Sequence, residues 1–184
     1  MATWKKNGEI NNPTPIASGS NFGNDVDIND IGNIVIFGDP LWESAPGNVP
    51  GRIYTFRYAK LNTFTQKWFA YGTPIPGDTN GDEFGYSVAI SATGGTIVGS
   101  ALNAGSNAYI KAYRWNGSTW IQRGSTIERP ISFFNIAGNS VDCSSCGCYI
   151  AFARSNFFSN IGFLEVWMWN STDWIYTGRI FGRE

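Results

Sequence analysis

From Asp82 to Gly99 the chain reads D-E-F-G-Y-S-V-A-I-S-A-T-G-G-T-I-V-G. Ser87, Ala89 and Ser91 alternate with Val88 and Ile90, the period of two of a half-buried strand. Ala92-Thr93-Gly94-Gly95 is a turn cluster, because glycine supplies the positive φ that tight hairpins need. Thr96-Ile97-Val98 is β-branched and suits a pleated, buried strand. Gly85 and Gly99 stand where a backbone packs close to a neighbour.

The same hairpin recurs twice. It lies at Phe22-Gly23, Val26-Asp27-Ile28, Gly32 and Ile34-Val35-Ile36, and again at Val141-Asp142-Cys143, Gly147 and Tyr149-Ile150-Ala151. Val26, Val88 and Val141 share a register, as do Gly32, Gly94 and Gly147. After each hairpin comes an aromatic, alternating run: Arg52–Tyr58, Tyr109–Trp115 and Phe163–Trp169. A fourth run carries a W-x-x-x-G mark, at Trp68 and Gly72, Trp120 and Gly124, and Trp174 and Gly178. The mark also occurs at Trp4 and Gly8, predicting an extra strand over 3–10. These tryptophans lie roughly 50–65 residues apart, at the long end of periods that signal repeat architectures. The prediction is one all-β repeat domain over 1–184, with four-stranded antiparallel units at about 22–75, 84–127 and 137–180.

The joints between units, one long loop and the third hairpin hold the candidate chemistry. Asp78, Asn80 and Asp82 fall in D-x-N-G-D spacing, and alternate oxygen ligands on a glycine turn can cage Ca²⁺. No carboxylate closes the far end of that loop, and an Asx-type turn explains the same residues. Asp39 to Gly51 is a long insertion bearing Trp42, a candidate sugar-stacking residue; a tolerated surface insertion is its other reading. Phe133 and Phe134 replace the polar joint before the third unit. Cys143, Cys146 and Cys148 have a metal-knuckle spacing, yet zinc needs a fourth ligand and the chain has no histidine. By register Cys143 takes a buried strand position, while Cys146 and Cys148 bracket the turn glycine and are free to pair with each other or with another chain.

The absence of histidine removes Ser-His-Asp triads and Cys-His dyads. A glycosidase-like carboxylate pair remains, drawn from Glu43, Asp78, Asp82, Glu83, Glu128 and Glu165, most of them at joints or loops. Trp4, Trp68, Trp120 and Trp174 recur at one register position, which points to shared packing rather than to four separate ligand sites.

Composition fits this picture. At 184 residues the chain buries about 70% of its unfolded surface without a disulfide or metal. With 15% charged residues and a net charge of −1, it offers no electrostatic hold for nucleic acid or an anionic membrane. No apolar run is long enough to span a bilayer, and Met1–Lys6 lacks the apolar core of a signal peptide.

Phe84-Gly85-Tyr86-Ser87-Val88 and Trp115-Asn116-Gly117-Ser118-Thr119-Trp120, with Phe22-Gly23 and Asp25-Val26, resemble the FG-GAP repeats of β-propellers. The likeness is to the subgroup with S-V-S-L-S-x-D-G-N-type hairpins; unit three departs from it, with Ala137-Gly138 for F-G. The resemblance implies blades around an axis and a non-enzymatic recognition or scaffolding role, as in relatives on cell surfaces and in viruses. Propellers close with about four to eight blades, and this chain supplies three. The expectation is therefore a ring closed by self-association, a six-bladed dimer above all, with Trp4–Gly8 pairing across a boundary by strand addition. A β-trefoil, closing within one chain, is the alternative fold; a carbohydrate-binding lectin is the alternative function.

Overall fold

A computed structural model describes residues 9–10, 20–60, 66–102, 108–128, 140–154 and 162–182. Among them the structure is all β, with three antiparallel sheets, no helix and no closed barrel. The first sheet comprises β1 (Val26–Ile28), β2 (Ile34–Asp39), β3 (Arg52–Lys60), β4 (Gln66–Ala70) and β5 (Ile75–Pro76). The second holds β6 (Phe84–Ile90), β7 (Thr96–Ala101), β8 (Tyr109–Trp115), β9 (Trp120–Gln122) and β10 (Ile127–Glu128). The third holds β11 (Ser140–Cys143), β12 (Tyr149–Arg154), β13 (Phe163–Trp169) and β14 (Trp174–Phe181).

Each sheet is a meander four ranks deep. In the first two the outermost rank is broken: β4 and β5 share one edge of β3, and β9 and β10 share one edge of β8. The breaks follow Gly72 and Gly124, which take φ of +85° and +75°. Gly178 has no such φ, and β14 runs unbroken along β13 with a bulge at Val166/Trp167. The W-x-x-x-G mark thus marks a corner twice and a continuous strand once.

The sheets stack face to face in chain order. The rear of the first carries Ile34, Ile36 and Ile53, and it packs on Phe84, Val88, Ile90, Ile97 and Tyr109 from the front of the second. Val98, Ile110 and Ile127 on the rear of the second meet Val141, Ile150, Phe152 and Phe163. The front of the first sheet, Val35, Phe37, Tyr54 and Phe56, is covered by Phe22, Ile10 and Trp68. Burial of this kind contributes about 25 cal/mol per Å² and supplies the main force between sheets.

β6 corrects the half-buried reading of its alternation. Ser87 and Ser91 are as buried as Val88 and Ile90, because the innermost strand has a neighbouring sheet on each side. Their hydroxyls take up backbone N–H groups instead of water: Ser91 Oγ accepts from Thr96 N, and Ser87 Oγ from Val141 N. The close approaches expected at Gly85 and Gly99 are present. A Cβ on Gly85 would stand 2.5 Å from the Arg52 carbonyl oxygen, and one on Gly99 would stand 2.9 Å from the Phe84 ring. Trp4, Gly8, Phe133, Phe134 and Ala137-Gly138 lie outside the described residues.

Candidate functional site

The loop between β5 and β6 is built around Asp82, which is fully buried. Its Oδ2 accepts from Asp78 N at 2.8 Å, Thr79 N at 2.9 Å and the Tyr109 hydroxyl at 2.7 Å, and its Oδ1 from Thr79 Oγ1 at 2.5 Å. That is an Asx-type turn locked by a tyrosine from β8. Burial, and then the hydrogen bond to Asp82, push the Tyr109 phenol up, so it stays a donor. Asp78 faces outward, and both its oxygens receive the Lys111 ammonium at 2.6 Å. Asn80 Oδ1 accepts from Val49 N at 2.7 Å, and Gly81 N donates to the Val49 carbonyl. The structure therefore brings Asp78, Asn80 and Asp82 together, but each has a protein partner. A divalent cation at Asp78 would have to displace Lys111. Among the described residues no group of three or more Cys, Asp or Glu side chains is arranged to hold a metal ion.

Those bonds stitch the loop to the insertion that carries Trp42. The Trp42 indole is half-buried, with the Arg52 guanidinium 4.1 Å from its ring centroid; Arg52 also lies 4.4 Å from the Tyr54 ring. Asp39 opposes Arg52 across β2 and β3, and its Oδ1 accepts from Ser20 Oγ. Burial raises the Asp39 carboxyl above its ordinary range, against the opposing pull of Ser20 and Arg52. One face of Trp42 is thus engaged by the protein's own cation.

Of the remaining candidate carboxylates, Glu83 follows Asp82, Glu43 lies in the loop between β2 and β3, Glu128 is on β10 and Glu165 on β13. Glu165 is buried on β13 and holds the Arg179 guanidinium through Oε1. The cysteines are free thiols. Cys143 packs at the edge of the core, where burial first and then Asp142 push it up to about 12. Cys146 is exposed, and hydrogen bonds from Cys148 and Ser144 hold its thiol below the usual range.

The polar chemistry that sequence reasoning missed runs between the sheets. Asp30 N donates to the Ala92 carbonyl at 3.2 Å, and Ala92 N donates to the Ser145 carbonyl at 3.1 Å; the three residues share one register position. Asp25 Oδ2 accepts from Ser87 Oγ and Val88 N, and Asp27 Oδ2 from Ile90 N. At the outer rank Trp120 Nε1 donates to the Tyr71 carbonyl at 2.9 Å, and Trp174 Nε1 to the Arg123 carbonyl at 2.6 Å. The Trp115–Trp120 and Trp169–Trp174 pairs have centroids 5.2 and 5.3 Å apart, and Tyr58–Trp68 repeats the pair at 5.3 Å. Trp68, Trp120 and Trp174 serve packing, as their shared register implied. The signal for the rest was present too, since every donor and acceptor here sits at an equivalent repeat position.

No protein-family model matches the chain. No curated protein matches it either. Among solved structures it is similar to the X-ray structure of a hypothetical selenium-binding protein from Sulfolobus tokodaii, with 12% identity and a TM-score of 0.54. The similarity covers 81% of this chain and 38% of that one, and it is a likeness of fold. The chain thus spans well under half the length of the structure it resembles, and what the two share is a stack of β-sheets.

Proposed function

We propose that this chain is a non-enzymatic module of the β-propeller type, with its three sheets as blades, and that it acts as a structural and interaction component that self-associates into a closed ring. The observation that carries this reading is where the polar side chains go. Asp25, Asp27, Ser87, Arg123, Trp120 and Trp174 all bond from one sheet to the next. Each sheet is a self-contained meander stacked on its neighbour, which favours blades over a trefoil, whose strands share one barrel. The FG-GAP resemblance of Phe84–Val88 agrees with blades, and it implies a virion or cell-surface assembly as the setting. Three blades fall short of the four to eight or so that close a ring. Light scattering at micromolar concentration tests the reading. A mass twice the 20.2 kDa of the chain supports it, and a monomer at every concentration refutes it. Carbohydrate binding through Trp42 has less behind it, because Arg52 already covers one indole face.

A further inference from the structure

The two seams inside the molecule share a backbone bond at position 30/92/145 and an acceptor side chain at position 25/87, and the molecule's two ends each present half of that pattern. At the inner strand, position 26/88/141 is Val in all three sheets. Val88 is 4% exposed and Val141 6%, each against the preceding sheet, but Val26 is 63% exposed. Ile28 is exposed where its counterpart Ile90 is buried. The N–H groups of Val26 and Ile28 turn back onto Asp25 and Asp27 of their own strand, whereas those of Val88 and Ile90 reach the preceding sheet.

The rear of the third sheet holds the complement. Tyr149 stands at the position of Ile34 and Thr96, which receive the turn glycines Gly94 and Gly147 of the sheet that follows. Tyr149 receives none and is 44% exposed. Ser140 and Asp142 occupy the positions of Ser87 and Asp27, the acceptors for the next sheet's N–H groups. Ser140 Oγ and Asp142 Oδ2 have no such donor among the described residues, Asp142 taking only Cys143 N on Oδ1. The Asp30–Ala92–Ser145 chain of N–H to carbonyl bonds stops with the Asp30 carbonyl at one end and the Ser145 N–H at the other.

We propose that these ends are the halves of one further seam, and that a second copy of this chain fills each: the rear of one copy's third sheet docks on the inner front of the other's first. This rests on the propeller reading above and names the surfaces it uses. In register, Ser145 N donates to Asp30 O of the second copy, Val26 N to Ser140 Oγ and Ile28 N to Asp142 Oδ2. The turn at Gly32 sits on Tyr149. The contact is heterologous, and it closes because two copies of three sheets make six, within the range of about four to eight that rings adopt. The outer front of the first sheet is already filled by Ile10 and Phe22, so the new seam lies at the inner strand and its turn.

The test uses the full chain and two exposed positions, V26R on the front and Y149R on the rear. Each variant puts an arginine into both seams of the ring, so each alone weakens the dimer about 100-fold or more and runs as a folded monomer by light scattering. Near-ultraviolet circular dichroism unchanged from the parent checks the fold. Mixed one to one, the variants regain a dimer by native mass spectrometry, since the rear of V26R meets the front of Y149R. A parent dimer in which either variant alone stays dimeric means a two-fold contact through a single face, and it overturns the proposal while leaving self-association standing. A mixture that stays monomeric overturns it as well, as does a mass that keeps growing with concentration. A monomeric parent sinks the ring reading itself.

Discussion

Gly72, Gly124 and Gly178 carry the same sequence mark, and replacing each by alanine separates seam from strand. At Gly72 the φ of +85° lies in the left-handed region, and a Cβ would stand 2.9 Å from Trp120 Cδ1 and 3.0 Å from Trp115 Cζ3. At Gly124 the φ is +75°, and the Cβ would meet Trp169 Cζ3 and Asp173 Oδ1 at 2.7 Å each. The backbone penalty for alanine there is about 1–2 kcal/mol. Crowding a packed indole adds about 1–3 kcal/mol. It does so with little relief, because Trp120 and Trp174 are also fixed by hydrogen bonds to the Tyr71 and Arg123 carbonyls. The sum is about 2–5 kcal/mol, or a fall in Tm of roughly 4–20 °C for a chain of this size.

Gly178 lacks the positive φ, and a Cβ there meets nothing within 4 Å. Its strand position favours alanine by about 0.5 kcal/mol. The expected order of stability is therefore Gly178→Ala at or above the parent, and Gly72→Ala and Gly124→Ala well below. Urea unfolding followed by tryptophan fluorescence reads this directly, since the indoles in question sit at the seam. If Gly178→Ala costs as much as Gly72→Ala, the mark acts within each sheet and the seam argument fails; a neutral Gly72→Ala would refute the geometry.

Three further outcomes follow from the same geometry. Ser171 takes φ of +84° at the hairpin position that Gly117 fills in the second sheet, so Ser171→Gly stabilises by about 0.5–1 kcal/mol, seen as a higher urea midpoint. Asp82→Ala strips acceptors from Asp78 N, Thr79 and the Tyr109 hydroxyl and costs about 3 kcal/mol; a chelator should leave the parent's Tm unchanged, and a rise in Tm with Ca²⁺ that Asp82→Ala abolishes would show that a cation holds the loop. Tyr109 and Tyr113 have phenols raised by burial, so their contribution is complete below the unfolded tyrosine value of about 10 and is lost as pH climbs above it; stability flat to about pH 9 and falling beyond is expected, with a shallower fall in Tyr113→Phe.

The order of the strands was legible because it rests on local chemistry. Val26, Val88 and Val141 alternate with polar or small neighbours, Gly32, Gly94 and Gly147 turn the chain, and Asn116 and Asn170 cap the next hairpin through their own Oδ1. What stayed hidden was what the polar alternates do. Ser87 read as the open side of a half-buried strand, yet its partner Asp25 lies on another sheet, and no periodicity within one strand reports a bond to a residue some 60 positions away. The same holds for Asp82: its spacing with Asp78 and Asn80 suggests a cation cage, and only the placement of Tyr109 and Lys111 on β8 shows which donors occupy those oxygens.

The repeat itself could have revealed the seam, because a stack that bonds each unit to the next has a direction. The first two sheets give N–H groups forward in the chain at Asp30 and Ala92 and accept on the side chains of Asp25 and Ser87. Such a stack ends on unlike surfaces, one with carbonyls and apolar inner-strand residues, the other with N–H groups and acceptor side chains. A two-fold contact through the front face would set carbonyl against carbonyl, and one through the rear face N–H against N–H. A head-to-tail neighbour would present each end with what the two internal seams bind, and the one-to-one mixture of V26R and Y149R is the measurement that decides whether a second copy is that neighbour.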